Sequence, residues 1–346
     1  MIDDASPLKE ARLLEIRQQA QEGRLDVQGA RPAGAPFPKA SPETGYYGLP
    51  LLKEPAWTPE IPLYFFVGGI AGAAAVVGAI ANYTGAERRL VRDARWIAAA
   101  GAILSPPLLI ADLGRPERFL NMLRVFKPRS PMSMGSWTLV GFSGAAAATA
   151  FAGFLHDRYG ASFPVRVLEN AGQAASLAFG LPFSNYTGVL LGATAIPVWN
   201  ENAGTLPLHF GASGLGAAVS LLELCGHRKN RALQALAVGA AAFECWEGWR
   251  LEGNDAPVLD PLKYGSSGWM VRAGGVLSGP VPLLLRLASS FSRDQRAGRL
   301  RSWAAASSIA GSLLTRIAWV EAGHASARDW REPLGIEAAE SAKLTS

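Results

Sequence analysis

EIPLYFFVGGIAGAAAVVGAIANY, residues 60–83, decides what kind of protein this is. After Glu60 the stretch carries no charge at all. Its length is what a helix needs to cross a bilayer: ~20 residues rising ~1.5 Å each span a ~30 Å hydrocarbon layer. Ala and Gly fill it in place of Leu and Ile, so this helix is predicted to pack closely against other helices, since small side chains let backbones approach. Outward from it, comparable apolar runs recur at 94–112, 135–155, 165–198, 206–225, 231–249, 269–288 and 302–323, giving eight candidate spans. The fourth is too long for one straight crossing; Pro182 predicts a kink there, or its first part lies outside the bilayer.

Composition agrees. Of 346 residues, 49% are hydrophobic and only 18% charged, with 38 Gly and 10 Trp, fewer charges than a soluble surface needs. The mean hydropathy of +0.14 is modest because Ala and Gly dominate the runs and because the first 58 residues are polar. Those opening residues combine an amphipathic pattern, PLKEARLLEIRQQAQEG, with a Pro/Gly-rich linker expected to lie over a partner or the membrane edge. The opening MIDDASPLKEA has no early apolar core, so the spans themselves are expected to direct insertion.

Basic residues set the orientation, because positive loops stay in the cytoplasm. NYTGAERRLVRDAR, HDRYGASFPVR, CGHRKNR and RLASSFSRDQRAGRLR follow the odd-numbered spans and are rich in Lys and Arg; WNENAGT has none and RLEGNDAPVLDPLKYGSSG is net acidic. Both termini are therefore predicted outside the cytoplasm. One stretch breaks the pattern: ADLGRPERFLNMLRVFKPRSPMSMGSW, residues 111–137, puts Arg115, Arg118, Arg124, Lys127 and Arg129 on the predicted outer side. Another constraint must hold those charges there.

The remaining chemistry is sparse. Cys225 and Cys245 form no CxxC pair and no iron–sulfur spacing. His156 and His227 fall in loops, while His209 and His324 lie near span ends, where His209 reads as an interfacial, hydrogen-bonded residue. No pair of imidazoles faces at matched depth, so neither haem nor a metal site is expected. Charges inside the spans are costly and need partners. Glu169, Glu244, Glu247, Arg272, Arg316 and Glu321 are such residues; they read as buried ion pairs, Glu244 with Arg316 for example, or as a proton relay.

ADLGRPERFLNMLRVFKPRSPMSMGSWTL, with SNYTGVLLGATAIPVWNENAGTLPLHFGASGLGAAVSLLEL at 184–224, resembles the NrfD-type family, the membrane subunits of polysulfide reductase and related quinone-linked complexes. ETGYYGLPLLKEPAWTPEIPLYFFVGG further resembles members associated with formate dehydrogenase-type enzymes. The resemblance implies an all-α, haem-free, polytopic protein of the cell inner membrane. It implies a polar extension at 1–58, two four-helix bundles at 59–198 and 199–325, and a polar tail at 326–346. It also implies a ferredoxin-like iron–sulfur subunit as partner, often completed by a molybdenum or tungsten bis-pterin catalytic subunit, and exchange of electrons with menaquinone or ubiquinone. Nothing points to nucleic acid.

On that resemblance the tyrosine of the YTG element, Tyr186, and the Glu60 neighbourhood line a quinone site, with Tyr64 and Asp112 close by. The family's histidine or asparagine at the start of span one has no counterpart in WTPEIPLYFF, which offers Glu60 and Tyr64 instead. The arginines of 111–137 become docking residues for the iron–sulfur subunit; binding lipid phosphate is the simpler reading. Tyr186 as a packing residue beside Gly188, Glu60 as an interfacial cap and Asp112 as a partner of Arg115 are the structural counterparts of the functional roles. Two other classes compete: a secondary transporter, for which the proline pairs Pro106–Pro107 and Pro280/Pro282 would mark interrupted helices in the two halves, and an inert anchor.

Overall fold

The apolar runs are helical, six of the eight as single helices and two divided in two. The computed structural model describes residues 52–113, 117–160 and 162–328. It places α1 at Glu60–Tyr83, α2 at Arg88–Asp112, a short α3 at Arg118–Met122, α4 at Pro131–Tyr159 and α5 at Phe163–Gly192. A short α6 (Pro197–Glu201) leads to α7 (Leu206–Leu222), which runs into a π-helical turn at Glu223–His227. Then come α8 (Arg231–Glu252), the small α9 (Asp260–Lys263), α10 (Gly265–Ser278), α11 (Pro280–Ser290) and α12 (Asp294–Arg328). Among the described residues there is no strand. The predicted N-terminal amphipathic helix and linker, up to residue 51, lie outside the described residues, as do Gly114, Arg115, Pro116 and the tail from residue 329.

Local chemistry explains the boundaries. Ser130 caps α4, its side chain accepting from the Ser133 amide at 3.4 Å, and Pro131 opens the first turn, where no amide partner is needed. Asn230 caps α8 in the same way through the Leu233 amide at 3.1 Å. Gly226 takes φ 113°, a left-handed turn that only glycine enters cheaply, and so ends the π turn of α7.

Four helices are long and apolar enough to cross a membrane: α1, α2, α4 and α7 with its π turn. The other predicted spans are helical but more polar or broken. The run at 269–288 divides into α10 and α11 at Gly279, whose φ and ψ of −105° and −91° leave the helical region just before Pro280. The run at 165–198 stops at Gly192, so that α6 is a separate element, and Pro182 lies inside an unbroken α5. α8 and α12 carry charges along their length, among them Glu244, Glu247 and Arg250 in α8 and Arg316 and Glu321 in α12.

Packing centres on α1, which touches α2, α5, α7 and α12. Its GGIAG segment makes this possible. A Cβ on Gly72 would fall 2.6 Å from the Gly180 carbonyl oxygen and 2.7 Å from the Ser184 nitrogen, so α1 and α5 meet backbone to backbone. A Cβ on Gly214 of α7 would likewise lie 3.0 Å from the Gly69 oxygen. Aromatic rings fill the wider gaps, with Phe142 of α4 stacked on Phe183 of α5 at 4.8 Å. The resulting core is continuous from Leu139 and Phe142 to Trp319 and Val320 of α12. Large apolar side chains also point outward, including Ile103, Phe151, Leu181, Trp249, Trp269, Leu284 and Trp303. A soluble protein does not expose so many.

Candidate functional site

The antiparallel rods bring the start of α1, the end of α2 and the start of α4 to one end of the described unit. Asp112 joins two of them: its Oδ1 accepts from both the amide and the hydroxyl of Thr58, each at 2.8 Å. The last residue of α2 thus caps the approach to α1. Glu60 opens α1 two residues later and is half-buried. Tyr64, one turn deeper, is buried with its ring edge-on to Phe183 at 6.4 Å. From α5, the Tyr186 hydroxyl donates to the Pro131 carbonyl at 2.6 Å, against the first turn of α4. A Cβ on Gly135 would come 1.9 Å from Tyr186 Cζ, so the ring lies flat in a notch that glycine leaves open.

Tyr186, Glu60, Tyr64 and Asp112 are therefore at one end. Two of them already spend hydrogen bonds on structure. Asp112 pairs with Thr58, while Arg115, its expected partner, lies outside the described residues. The packing partner of Tyr186 is Gly135 rather than Gly188, whose open side instead faces the Leu206 carbonyl. A phenol holding a carbonyl can still accept through its oxygen, or can exchange that carbonyl for a ligand's.

The basic stretch lies at the same end. The predicted helix over ERFLNMLRVF is only Arg118–Met122; Arg124, Lys127 and Arg129 follow in a turn. Ser133 pins that turn, its hydroxyl donating to the Val125 carbonyl at 3.3 Å and accepting from the Lys127 amide at 3.0 Å. Phe126 rests edge-on against Trp137 at 6.0 Å. Arg124, Lys127 and Arg129 are exposed and have no ion-pair partner among the described residues, and Leu120, Val125 and Phe126 are exposed beside them. The side chain of Arg118, like all of Arg115, lies outside the described residues.

The charges inside the rods are arranged differently from the expected pairs. Arg316 does not bond to Glu244. Fully buried, its Nη1 donates to Ser213 Oγ at 2.5 Å and Ser312 Oγ at 3.1 Å, its Nη2 to the Phe210 carbonyl at 2.7 Å, and its guanidinium sits 4.7 Å above the Phe210 ring. Neutral acceptors and a π face thus hold this cation. Glu244 takes Ser278 Oγ at 3.0 Å and faces His209 Nε2 at 3.3 Å. His209, expected at an interface, is buried, its ring edge-on to Trp319. Glu247 pairs with Arg250, which also donates to Asn202 Oδ1 at 2.9 Å and Thr205 Oγ1 at 3.1 Å.

The remaining members of the set lie elsewhere. Arg272 forms a two-pronged pair with Glu252 at 2.5 and 3.0 Å, partly exposed. Glu321 is exposed on α12. Glu169 sits at the opposite end with Arg95 at 2.5 Å and His156 at 2.7 Å. Glu169, Glu244, Arg272, Arg316 and Glu321 thus make no single hydrogen-bonded chain. Sequence reasoning missed a buried pair, Glu223 with Arg286, both of whose contacts are 2.7 Å. The signal was available: each is a lone charge in an apolar run, SLLELC and PLLLRL. Near the chain's described ends, Arg328 donates to Glu54 at 2.5 Å and holds that carboxyl below the usual carboxylate range.

Rods of membrane-crossing length, apolar outward surfaces and polar ends define a polytopic α-helical integral membrane protein. Residues 53–237, more than half of the chain, match the family described as polysulphide reductase, NrfD. The chain belongs to the NrfD family, and is thereby a membrane subunit of a respiratory oxidoreductase complex, working with other oxidoreductase subunits. No curated protein gives a significant match to the chain.

Proposed function

We propose that this subunit anchors an iron–sulfur protein through the basic turn 117–130 and exchanges electrons between it and a membrane quinone held beneath, at the end where Tyr186, Tyr64, Glu60 and Asp112 lie. One observation carries the reading: Arg124, Lys127 and Arg129, which have no ion-pair partner among the described residues, share the same end of the rods with the buried Tyr64 and the half-buried Tyr186, joined by the Thr58–Asp112 bond and the Tyr186–Pro131 bond. Exposed cations beside exposed Leu120, Val125 and Phe126 suit an acidic protein surface with an apolar centre. A molybdenum or tungsten bis-pterin subunit would complete the complex, and an association of the formate dehydrogenase type fits the join at residues 43–69.

A quinone gains two electrons and two protons to become quinol. The Tyr186 hydroxyl can donate to one quinone oxygen, and the half-buried Glu60 carboxylate offers a proton route to the rim. All eight rods, with α10 and α11 counted together, cross the bilayer in this reading, with both termini on the periplasmic side. Outward Leu181, Trp249, Trp269, Leu284 and Trp303 on the four more polar rods support the count. A transporter with matched interrupted helices is less well supported, because Pro106 and Pro107 lie inside an unbroken α2 while α10 and α11 are separated.

Isolation from native membranes with an iron–sulfur protein bound is the expected result. In that complex Tyr186→Phe lowers quinone-dependent turnover by about 10-fold or more, the loss expected for one positioned donor. Normal turnover in the variant, with the complex intact, would leave this chain as an inert anchor.

A further inference from the structure

A cavity lies between α8, α9, α10 and α11, and none of its lining residues belongs to the rim around Tyr186. It holds ≈460 Å³ and its walls are largely apolar, with Trp249, Val271, Val276 and Pro280 among them. Trp249 is 74% exposed, on the outward face. Charges at the cavity are satisfied with one exception. Arg272 pairs with Glu252, and Lys263 donates to Asp255 at 3.2 Å and to the Glu252 carbonyl at 3.2 Å. Glu244, which lies two turns inside Glu252 and is only 4% exposed, uses Oε2 for Ser278 and His209. Among the described residues its Oε1 has no hydrogen-bond partner.

A buried carboxylate oxygen without a donor is costly, and a donor arriving with a ligand removes that cost. The ligand's form follows from the walls. An anionic headgroup would face a carboxylate. A plain hydrocarbon would leave Oε1 as it is. A flat apolar ring bearing a hydroxyl satisfies both, and ≈460 Å³ accommodates one. We propose that this cavity is a second ligand site, which takes a hydroquinone-type amphiphile whose phenolic hydroxyl donates to Glu244 Oε1. The site is distinct from the rim around Tyr186 and stands or falls without it.

Cys245 lines the cavity and gives a direct probe. The protein, purified in its complex with Cys225→Ser as background, is treated anaerobically with N-ethylmaleimide, and modification of Cys245 is followed by mass spectrometry. Decyl-hydroquinone is expected to slow the modification, its dimethyl ether to have little effect, and Glu244→Gln to raise the concentration needed by about tenfold, the value of one charge-assisted bond. Equal protection by the ether would reduce the cavity to an unselective apolar slot and overturn the proposal.

Equilibrium dialysis of radiolabelled decyl-hydroquinone supplies a second readout should the thiol prove unreactive. A Cβ on Gly275 meets nothing within 4 Å, so Gly275→Phe fills the cavity without a backbone clash. It should lower the bound stoichiometry by one; unchanged stoichiometry would overturn the site. Tyr186→Phe is expected to leave protection of Cys245 intact, so failure at the rim and failure here are separable.

Discussion

Among single residues the most consequential charges are those the rods enclose completely. Glu223 and Arg286 are both buried, joined at 2.7 Å, with Ser220 taking a further Arg286 bond at 3.2 Å. Breaking such a pair leaves one charge stranded in a low dielectric, at a cost of about 3–5 kcal/mol, whereas replacing both partners with apolar residues is often neutral. Glu223→Leu alone and Arg286→Met alone are therefore expected to lower the thermal inactivation temperature in detergent sharply, and the double variant to recover most of the loss. A double variant no better than either single one would mean that the pair is not an isolated unit. Arg316 answers to different neighbours: its four oxygen partners, the Ser213 and Ser312 hydroxyls and the Ser312 and Phe210 carbonyls, are all neutral, and the Phe210 ring lies beneath its guanidinium.

The elements were legible in sequence to the extent that hydrophobicity alone specifies them. α1 occupies the residues that its apolar run predicts, because Ile61 to Ala81 are unbroken by charge and the chain turns polar at once on either side. α2 begins at Arg88, earlier than the apolar run at 94, because Arg88, Arg89, Arg92 and Asp93 form a polar first turn that hydropathy cannot distinguish from a loop. α12 extends outward for the same reason, through Asp294, Arg296, Arg299 and Arg301. The break at Gly279 matches the interruption that Pro280 and Pro282 suggested under the transporter reading, but the sequence left it open, since a Gly–Pro step in an apolar run also suits a kinked but continuous helix. Partners across helices were harder still: periodicity tells which face a residue is on but not which helix meets that face, and so Glu244 found His209 and Ser278 rather than Arg316. The small-residue signal in GGIAG was readable, and it can be tested. Gly72→Ala places a methyl 2.6 Å from the Gly180 oxygen, and backbone atoms cannot swing aside as side chains do. It is expected to cost about 1–3 kcal/mol by overpacking, seen as a lower midpoint of thermal inactivation with the helical circular dichroism signal retained. An unchanged midpoint would mean that α1 and α5 separate easily.

For the whole molecule the decisive property is which end faces which compartment. The end bearing Arg88, Arg89, Arg92, Lys229 and Arg231 is dense in exposed cations, whereas the WNENAGT segment between α5 and α7 carries none. Basic loops resist translocation, so the Arg88 end should remain in the cytoplasm and the Asp112 end should face out. The basic turn after α3 opposes that rule locally, which is why orientation and the proposed docking are linked: a partner on the outer side would account for cations that the insertion rule alone would not leave there. Glu201 and Lys229 are exposed at the two ends and suit a direct measurement. With Cys225 and Cys245 replaced by Ser, Glu201→Cys is expected to react with a membrane-impermeant maleimide once the outer membrane is permeabilised, and Lys229→Cys only after the inner membrane is lysed. The opposite result would turn the basic turn, Tyr186 and the proposed iron–sulfur partner to the cytoplasmic side, leaving the geometry of the quinone site unchanged while reversing the side from which electrons and protons reach it.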